Sequence, residues 1–530
     1  KDLSGSKTGV FIGVEPTSYY GDTFTGYSDA IIPSRLSYIL NLRGPAIAIN
    51  TGCSASGVAL HLACESLRNK ETNMALAGGV NACMDHLVQV RLDEIEMLSP
   101  KGRCYTFDER GSGTIISEGI GMVFLKRLDD AIASNDYIYG VICGSGTNQD
   151  GASNGVTAPN GAAQEELIID VYNKYGINPE DITYVEAHGT GTKLGDPVEA
   201  NALVRAYKKF TSKDTYCSVG SAKSHVGHTG AAAAITGLIK VIMSLKHKQI
   251  PKLLHFNQIN PLIEFANSPF YITTQTSEWK APENKARMAA LNSFGHSGTN
   301  VHLVVKEYIA PTNGTHRETD AQQHNQVIIP LSAKTLEQLK QKVIDLSAYI
   351  RSSDALNLTA MAYTLQTGRE AMNERIGFIV NSVTQLDAML HSYINGEPEI
   401  KGFFKGQVKR SKNESPFNQY SDLEETIQRY FVERKYTDLL ELWVHGAKLD
   451  WNTLYPIKKP HRICLPSYPF AKERYWYSNM DSPEMKNTQW PAVDNPELNE
   501  NLKTIEDVFN QIDNDSIEKD QALHLLKTLL

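Results

Sequence analysis

Short apolar runs alternate with helical patterns through residues 1–308. Val10-Phe11-Ile12-Gly13-Val14, Ala46-Ile47-Ala48-Ile49, Met74-Ala75-Leu76-Ala77, Thr183-Tyr184-Val185 and Val301-His302-Leu303-Val304-Val305 read as buried strands. Between them apolar residues recur at helical spacing. After Cys53 they are Ala55, Val58, Ala59, Leu62, Ala63 and Leu67, one face of a helix. The alternation predicts a layered α/β architecture. Residues 309–325, with Pro311, Asn313 and Gly314, read as a linker. A smaller α/β unit follows. It has strands at Val327–Leu331 and Arg375–Val380 and helices at Leu336–Ile350 and Gln385–Ile394, with no catalytic cluster. Residues 478–500 carry Pro483, Pro491 and Pro496 and read as a second linker. At 501–530, Ile505, Val508, Phe509 and Ile512, then Ala522, Leu525, Leu526 and Leu529, mark two short amphipathic helices. Such helices need a partner to cover their stripes.

Composition narrows the class. Of 530 residues, 41% are hydrophobic and 21% charged, as in a globular protein with a large core. No apolar run reaches the eighteen residues of a membrane span, and Lys1–Gly5 carries no signal-peptide pattern. Seven cysteines, none in a CxxC, form no disulfide framework and fit a reducing, cytoplasmic setting. A net charge of −8 speaks against nucleic acid as the main partner. Residues 481–530 hold 11 acidic and 4 basic residues, so most of that charge belongs to the tail.

The chemistry begins at Ile47–Gly57. A strand ends near Asn50, a helix follows, and Cys53 falls at the turn between them. Unpaired N–H groups and the positive dipole end of that helix favour thiolate over thiol. The same groups can hold an oxyanion formed when a thioester is attacked. Taken alone, a cysteine here also fits a small core residue. Cys64, Cys83, Cys104, Cys143, Cys217 and Cys464 lack this setting and are assigned to structure.

Two histidine loops follow. Tyr184–Thr192 runs a buried strand into His188-Gly189-Thr190-Gly191-Thr192, whose hydroxyls and close-approach glycines suit an amide-rich arm. Lys223-Ser224-His225-Val226-Gly227-His228 precedes the helix that starts in Ala231–Ile235, whose N-terminal dipole disfavours an imidazolium at His228. Lys223 can polarise the site, and His225 is assigned to structure. Leu291–Asn300 joins two strands through a glycine turn whose backbone N–H groups can supply a further oxyanion donor.

Together these stretches resemble the β-ketoacyl synthases of modular polyketide synthases, in the thiolase-like superfamily. Gly52–Ser56 is similar to the nucleophile motif, Glu186–Glu199 to the first histidine motif and Lys223–His228 to the second; Asn148–Gly151 and Phe107–Arg110 are similar to other family segments. The resemblance spans residues 8–308 and implies a layered αβαβα ketosynthase, followed by a small α/β flanking linker domain at 309–477 and C-terminal helices. Leu465–Phe470 and Arg474–Trp476 resemble the segment that wraps back onto the synthase. No acyltransferase intervenes, as in the trans-acyltransferase type. The resemblance implies a decarboxylative Claisen condensation of an acyl chain on Cys53 with malonyl-acyl carrier protein. In it His188 and His228 act on the malonyl group, Lys223 orders the site, and the backbones of Cys53 and His296 hold the oxyanion. Thr190 and Thr192 would bind pantetheine. No cofactor or metal of its own is implied; phosphopantetheine arrives on the acyl carrier protein. Adjacent modules, a separate acyltransferase and a second copy in a homodimer are the implied partners, and 501–530 is the docking segment.

The chain departs from the family in two site positions. Gly52 stands where relatives have alanine, and His296 where many have a hydrophobic gate. It also begins late: the family's first strand and roughly its first hundred residues have no counterpart, so the sheet is expected to lack strands. Two alternatives stay open: a non-elongating ketosynthase that passes acyl chains between carriers, and a docking scaffold. A thiolase proper would need a second cysteine, which Phe294–Asn300 lacks.

Overall fold

The computed structural model describes residues 3–15, 24–83, 86–95, 97–310, 326–353, 356–408 and 421–473. The chain divides into two units, Lys1–Tyr468 and Pro469–Leu530. Of the second only 469–473 are described, so the expected helices at 501–530, the linker at 478–500 and Arg474–Trp476 lie outside the described residues. The boundary read at 308 falls inside the first unit.

Two sheets build the catalytic half. The first uses β1 (Thr8–Gly13), β2 (Ala46–Ile49), β3 (Met74–Asn81) and β4 (Gly119–Lys126) in the order β2-β1-β3-β4. The second uses β5 (Val141–Gln149), β6 (Ile182–Glu186), β7 (Cys217–Gly220), β8 (Phe270–Ile272), β9 (Met288–Phe294) and β10 (Thr299–Lys306), in the order β5-β10-β9-β6-β7-β8. The longer helices around these strands are α1 (Ile31–Leu40), α2 (Ala55–Arg68), α3 (Gly161–Tyr175), α4 (Gly195–Lys208) and α5 (Ala233–His247). α2 and α5 pack between the sheets, α1 covers the outside of the first, and α3 with α4 cover the second. The stack is α/β/α/β/α, the layered architecture read from the alternating pattern.

The central layer explains one difference from the sequence reading. The pattern after Cys53 predicts one apolar face including Leu62. In the structure α2 touches both sheets, so Leu60 is fully buried and Leu62 is 37% exposed. Small residues allow this: Ala55, Ser56, Gly57, Ala59 and Ala63 are all buried. A helix buried nearly all round has no single stripe to detect.

Parallel strands send their C-terminal ends the same way. β1 and β2 are parallel, as are β6, β7 and β9. The segments after β2, β6, β7 and β9 carry Cys53, His188, Lys223 with His228, and His296, and Glu15 follows β1. This is where α/β sheets gather ligand-binding loops.

The smaller lobe is an antiparallel sheet of β11 (Val327–Ala333), β12 (Glu374–Val380) and β13 (Phe403–Gln407), in that order. Helices α6 (Leu336–Arg351), α7 (Leu358–Thr367) and α8 (Val383–Asn395) share its core. The Arg462 guanidinium donates to the Ser134 carbonyl at 3.0 Å and pairs with Asp136 at 3.1 Å, while also reaching Thr367. Arg462 therefore ties the layered body to the lobe.

Gly13 couples the first sheet to α2. A Cβ there would come within 2.6 Å of the Ala55 carbonyl carbon, and backbone cannot yield cheaply. Gly13→Ala is expected to cost about 1–3 kcal/mol, read as a lowered denaturation midpoint. Because the strain falls on the start of α2, alkylation of Cys53 should also change.

Candidate active site

The nucleophile turn is held from several sides. Gly52 adopts φ +62°, a left-handed backbone that favours glycine. The Ser54 hydroxyl bonds back to the Thr51 carbonyl at 3.0 Å, and the Ala55 N–H donates to the Gly52 carbonyl at 2.9 Å. The hairpin between β9 and β10 presses on the turn: Ser293 Oγ donates to the Cys53 carbonyl at 2.9 Å and Ser297 Oγ to the Thr51 carbonyl at 3.2 Å. The His296 imidazole lies over Gly52, where a Cβ would fall 2.5 Å from Cε1 and 2.6 Å from Nδ1. That contact gives the glycine at position 52 a physical reason.

Cys53 Sγ lies 3.9 Å from His296 Nδ1. Burial pushes the thiol up to about 11, and Glu15 adds to this; Lys223 and the backbone N–H groups of His296 and Cys53 pull the other way. The sulfur is therefore a thiol at rest, unlike the thiolate expected from the helix terminus. Desolvation outweighs the dipole end because the turn lies under the hairpin. The same two N–H groups facing the sulfur are the pair that the sequence reading expects around an oxyanion.

His188 and His228 meet with ring centroids 5.6 Å apart and planes at 87°. The Phe294 N–H donates to His188 Nδ1 at 3.3 Å, and the Gly230 N–H donates to His228 Nδ1 at 3.1 Å. An Nδ1 that accepts from a backbone amide leaves Nε2 as the protonated nitrogen of a neutral ring. Burial holds both imidazoles well below their ordinary range. Lys223 reinforces this at both, His228 at His188 and His296 at His228. Lys223 Nζ donates to the His188 carbonyl at 2.5 Å and lies 3.4 Å from its Nδ1. Burial lowers the Lys223 ammonium, while Cys53, Glu199 and Glu186 support its charge. The expected set is thus brought together: Lys223 touches His188, and its charge acts on Cys53 and both histidines.

Two carboxylates shape the His188 loop. Glu199, on α4, accepts the N–H groups of His188 and Gly189, each at 2.8 Å, and the Asn292 amide at 3.0 Å. Asp196, one turn earlier, accepts Phe107 N–H at 2.7 Å and Gly191 N–H at 3.0 Å. Burial, with Glu199 nearby, pushes Asp196 up to about 7 against those hydrogen bonds. Beyond them Thr190 and Thr192 set their hydroxyl oxygens 3.1 Å apart on half-buried residues. His225 is exposed, as its structural assignment allows. All seven cysteines are free.

Sequence reasoning gave no role to Glu15, Glu199 or Asn292. Glu199 and Asp196 stood in the histidine motif, and buried acids beside a glycine loop were the available signal. Glu15 carried no signal, because only folding brings it to residue 53. Glu15, Cys53 and His296 hold a carboxylate oxygen, a sulfur and an imidazole nitrogen within 4.8 Å of one another, the donor group among the described residues able to meet at one metal ion.

Comparison with known proteins agrees with this geometry. Residues 1–131 match the N-terminal domain model of β-ketoacyl synthases, 139–257 the C-terminal domain model, and 330–397 a RhiE-like KS-MAT linker domain. Polyketide synthase PksL of Bacillus subtilis is 42% identical over 503 residues, covering 93% of this chain and 11% of that protein. Polyketide synthase ThaG of Burkholderia thailandensis is 37% identical, covering 89% and 9%. The chain thus spans about a tenth of the length of these relatives. The solved ketosynthase from module 6 of the bacillaene synthase of Bacillus subtilis superposes with a TM-score of 0.81 at 42% identity, covering 89% of this chain and 83% of that one. The ketosynthase from module 1 of the bacillaene synthase of Bacillus amyloliquefaciens superposes with a TM-score of 0.75 at 36% identity, covering 89% and 81%. No helix among the described residues is long and apolar enough to cross a membrane. Motifs, layers and linker together make this chain a member of the ketosynthase family of modular polyketide synthases, of the trans-acyltransferase type, and an acyl-transferring enzyme.

Proposed function

We propose that this chain elongates a polyketide by decarboxylative Claisen condensation, with Cys53 as nucleophile and His188 and His228 as the malonyl-activating pair. The observation that carries the reading is the locking of both imidazoles at Nδ1 by the Phe294 and Gly230 amides, which leaves two Nε2–H donors. Cys53 sulfur attacks the carbonyl carbon of an acyl thioester on a carrier protein. The new C–S bond forms, the old one breaks, and the cysteine proton goes to the leaving pantetheine sulfur. Malonyl carrier protein then enters, with Thr190 and Thr192 binding its pantetheine arm. The C–CO2 bond breaks, carbon dioxide leaves, and the electron pair spreads onto an enolate oxygen held by the two Nε2–H groups. The enolate carbon attacks the acyl-cysteine. The new C–C bond forms while the Cys53 and His296 amides hold the oxyanion; the C–S bond then breaks, and the sulfur leaves as thiolate and takes a proton from water. Lys223 positions His188 through its carbonyl.

The same reading brings in carrier proteins, adjacent modules, a separate acyltransferase and a second copy of the chain as partners, in a cytoplasmic setting. Phosphopantetheine belongs to the carrier. Elongation is favoured over simple acyl transfer because His188, the residue expected to act on malonyl, is present and held by Lys223 and Glu199.

Cys53→Ala is expected to abolish acyl loading by a thioester probe, read by intact mass; a loaded variant would refute the assignment. His188→Ala should load Cys53 yet release no carbon dioxide from malonyl carrier protein. If the unmodified chain loads but releases none, it is an acyl transferase between carriers.

Two pH dependences follow. With the thiol near 11, the rate of Cys53 alkylation by iodoacetamide should climb about tenfold per pH unit from pH 7 to 9; a plateau in that range would contradict a resting thiol. His188 and His228 titrate lower in the folded chain than their ordinary 6.5. The unfolded chain therefore binds more protons in acid, and stability is lost as pH falls below about 6.5, by up to about 1.4 kcal/mol per pH unit for each ring. Asp196, pushed up to about 7, acts in the opposite sense over the same window, so the rings are read by difference: His228→Gln should lessen the loss of urea midpoint between pH 7 and 5 relative to the unmodified chain.

A further inference from the structure

The two departures from the family pattern are one feature. The His296 ring occupies the space that a side chain at position 52 would need, so the imidazole can lie beside the sulfur only because residue 52 is glycine. Its Nδ1 is 3.9 Å from Cys53 Sγ and 4.0 Å from Glu15 Oε1. The other Glu15 oxygen accepts the Ala231 N–H at 3.0 Å, which anchors the carboxylate against the segment after His228. The His296 side chain is 50% exposed, so a ligand can reach it.

A hydrophobic gate offers an acyl chain contact alone. Here the chain would meet an imidazole, which can donate and accept, and a carboxylate, which when ionised only accepts. In an acyl-cysteine the C3 carbon is three bonds from sulfur, so a substituent on it falls in the shell that these two groups occupy. An alkyl chain would leave both unmatched. A ketone oxygen offers no donor to Glu15. A hydroxyl can donate to the carboxylate and accept from the ring.

We propose that His296, seated in the slot left by Gly52 and flanked by Glu15, is a specificity-determining residue that selects acyl thioesters bearing a 3-hydroxyl group. The proposal rests on Cys53 being the acyl acceptor and names the substrate class of that site.

The test loads the full chain with the N-acetylcysteamine thioesters of butyrate, 3-hydroxybutyrate and 3-oxobutyrate and follows Cys53 acylation by intact mass. The 3-hydroxybutyryl thioester is expected to react about tenfold faster than the other two, the discrimination that about one hydrogen bond provides. His296→Phe and Glu15→Gln should each bring that ratio close to one. Gly52→Ala should do the same with His296 still present, because the methyl displaces the ring. Equal rates for the three thioesters in the unmodified chain overturn the proposal while leaving Cys53 as nucleophile. So does an undiminished preference in both His296→Phe and Glu15→Gln, which alter half-exposed or partly exposed side chains and not the core. If no thioester loads Cys53 at all, the acyl-transfer reading itself fails, and this proposal with it.

Discussion

The site depends on one buried carboxylate. Glu199 accepts two consecutive backbone amides of the His188 loop and the Asn292 side chain on β9, so a single charge fixes the end of one strand against its neighbour. Asn292 in turn holds His302 Nδ1 at 2.7 Å through its carbonyl oxygen. Burial pushes Glu199 up, and those donors together with Lys223 hold it down. A buried charge is tolerated only when donors surround it, and removing any one leaves the rest uncompensated. That constraint sets the position of His188 before any substrate contact is considered.

Desolvation then decides the resting state. The same dryness lifts the Cys53 thiol and lowers both imidazoles, so the thiol is protonated and the histidines are neutral. Lys223 is the cation placed among them, and its charge favours thiolate while disfavouring imidazolium. Charge that develops on sulfur or on an enolate oxygen therefore meets oriented donors that need no reorganisation. Neutral rings also keep both Nε2 nitrogens as donors across the pH range in which ordinary histidines would take a second proton.

Local chemistry was legible and long-range neighbours were not. Cys53, His188, Lys223, His228 and His296 all sit just beyond strand ends, and each turn is written in adjacent residues: glycines, threonines and the start of a helix. The layered fold was legible because its strands read as short continuous apolar runs; of those read as buried, β2 is a sheet edge with Ile47 41% exposed. The face of α2 was not: the helix touches both sheets, so Leu60 is buried where the stripe pointed to Leu62. Glu15 and Asn292 escaped notice because neither has a motif of its own; each acquires meaning from residues more than thirty positions away in the chain. The thiolate expectation failed for the related reason that a dipole is visible in sequence and burial is not.

Position 52 shows how far such neighbours can change the reading of a motif. Taken one at a time, glycine for alanine and histidine for a hydrophobic gate are separate, minor departures. Contact makes them a single choice: an alanine methyl and this imidazole cannot share the space above the turn. Whichever occupies it sets the polarity of the surface beside the Cys53 sulfur, a methyl or a ring nitrogen with Glu15 behind it. The backbone amides proposed to hold the oxyanion stay the same in either case. The fold can therefore vary polarity at the very turn that carries Cys53, without altering the groups proposed to do the chemistry.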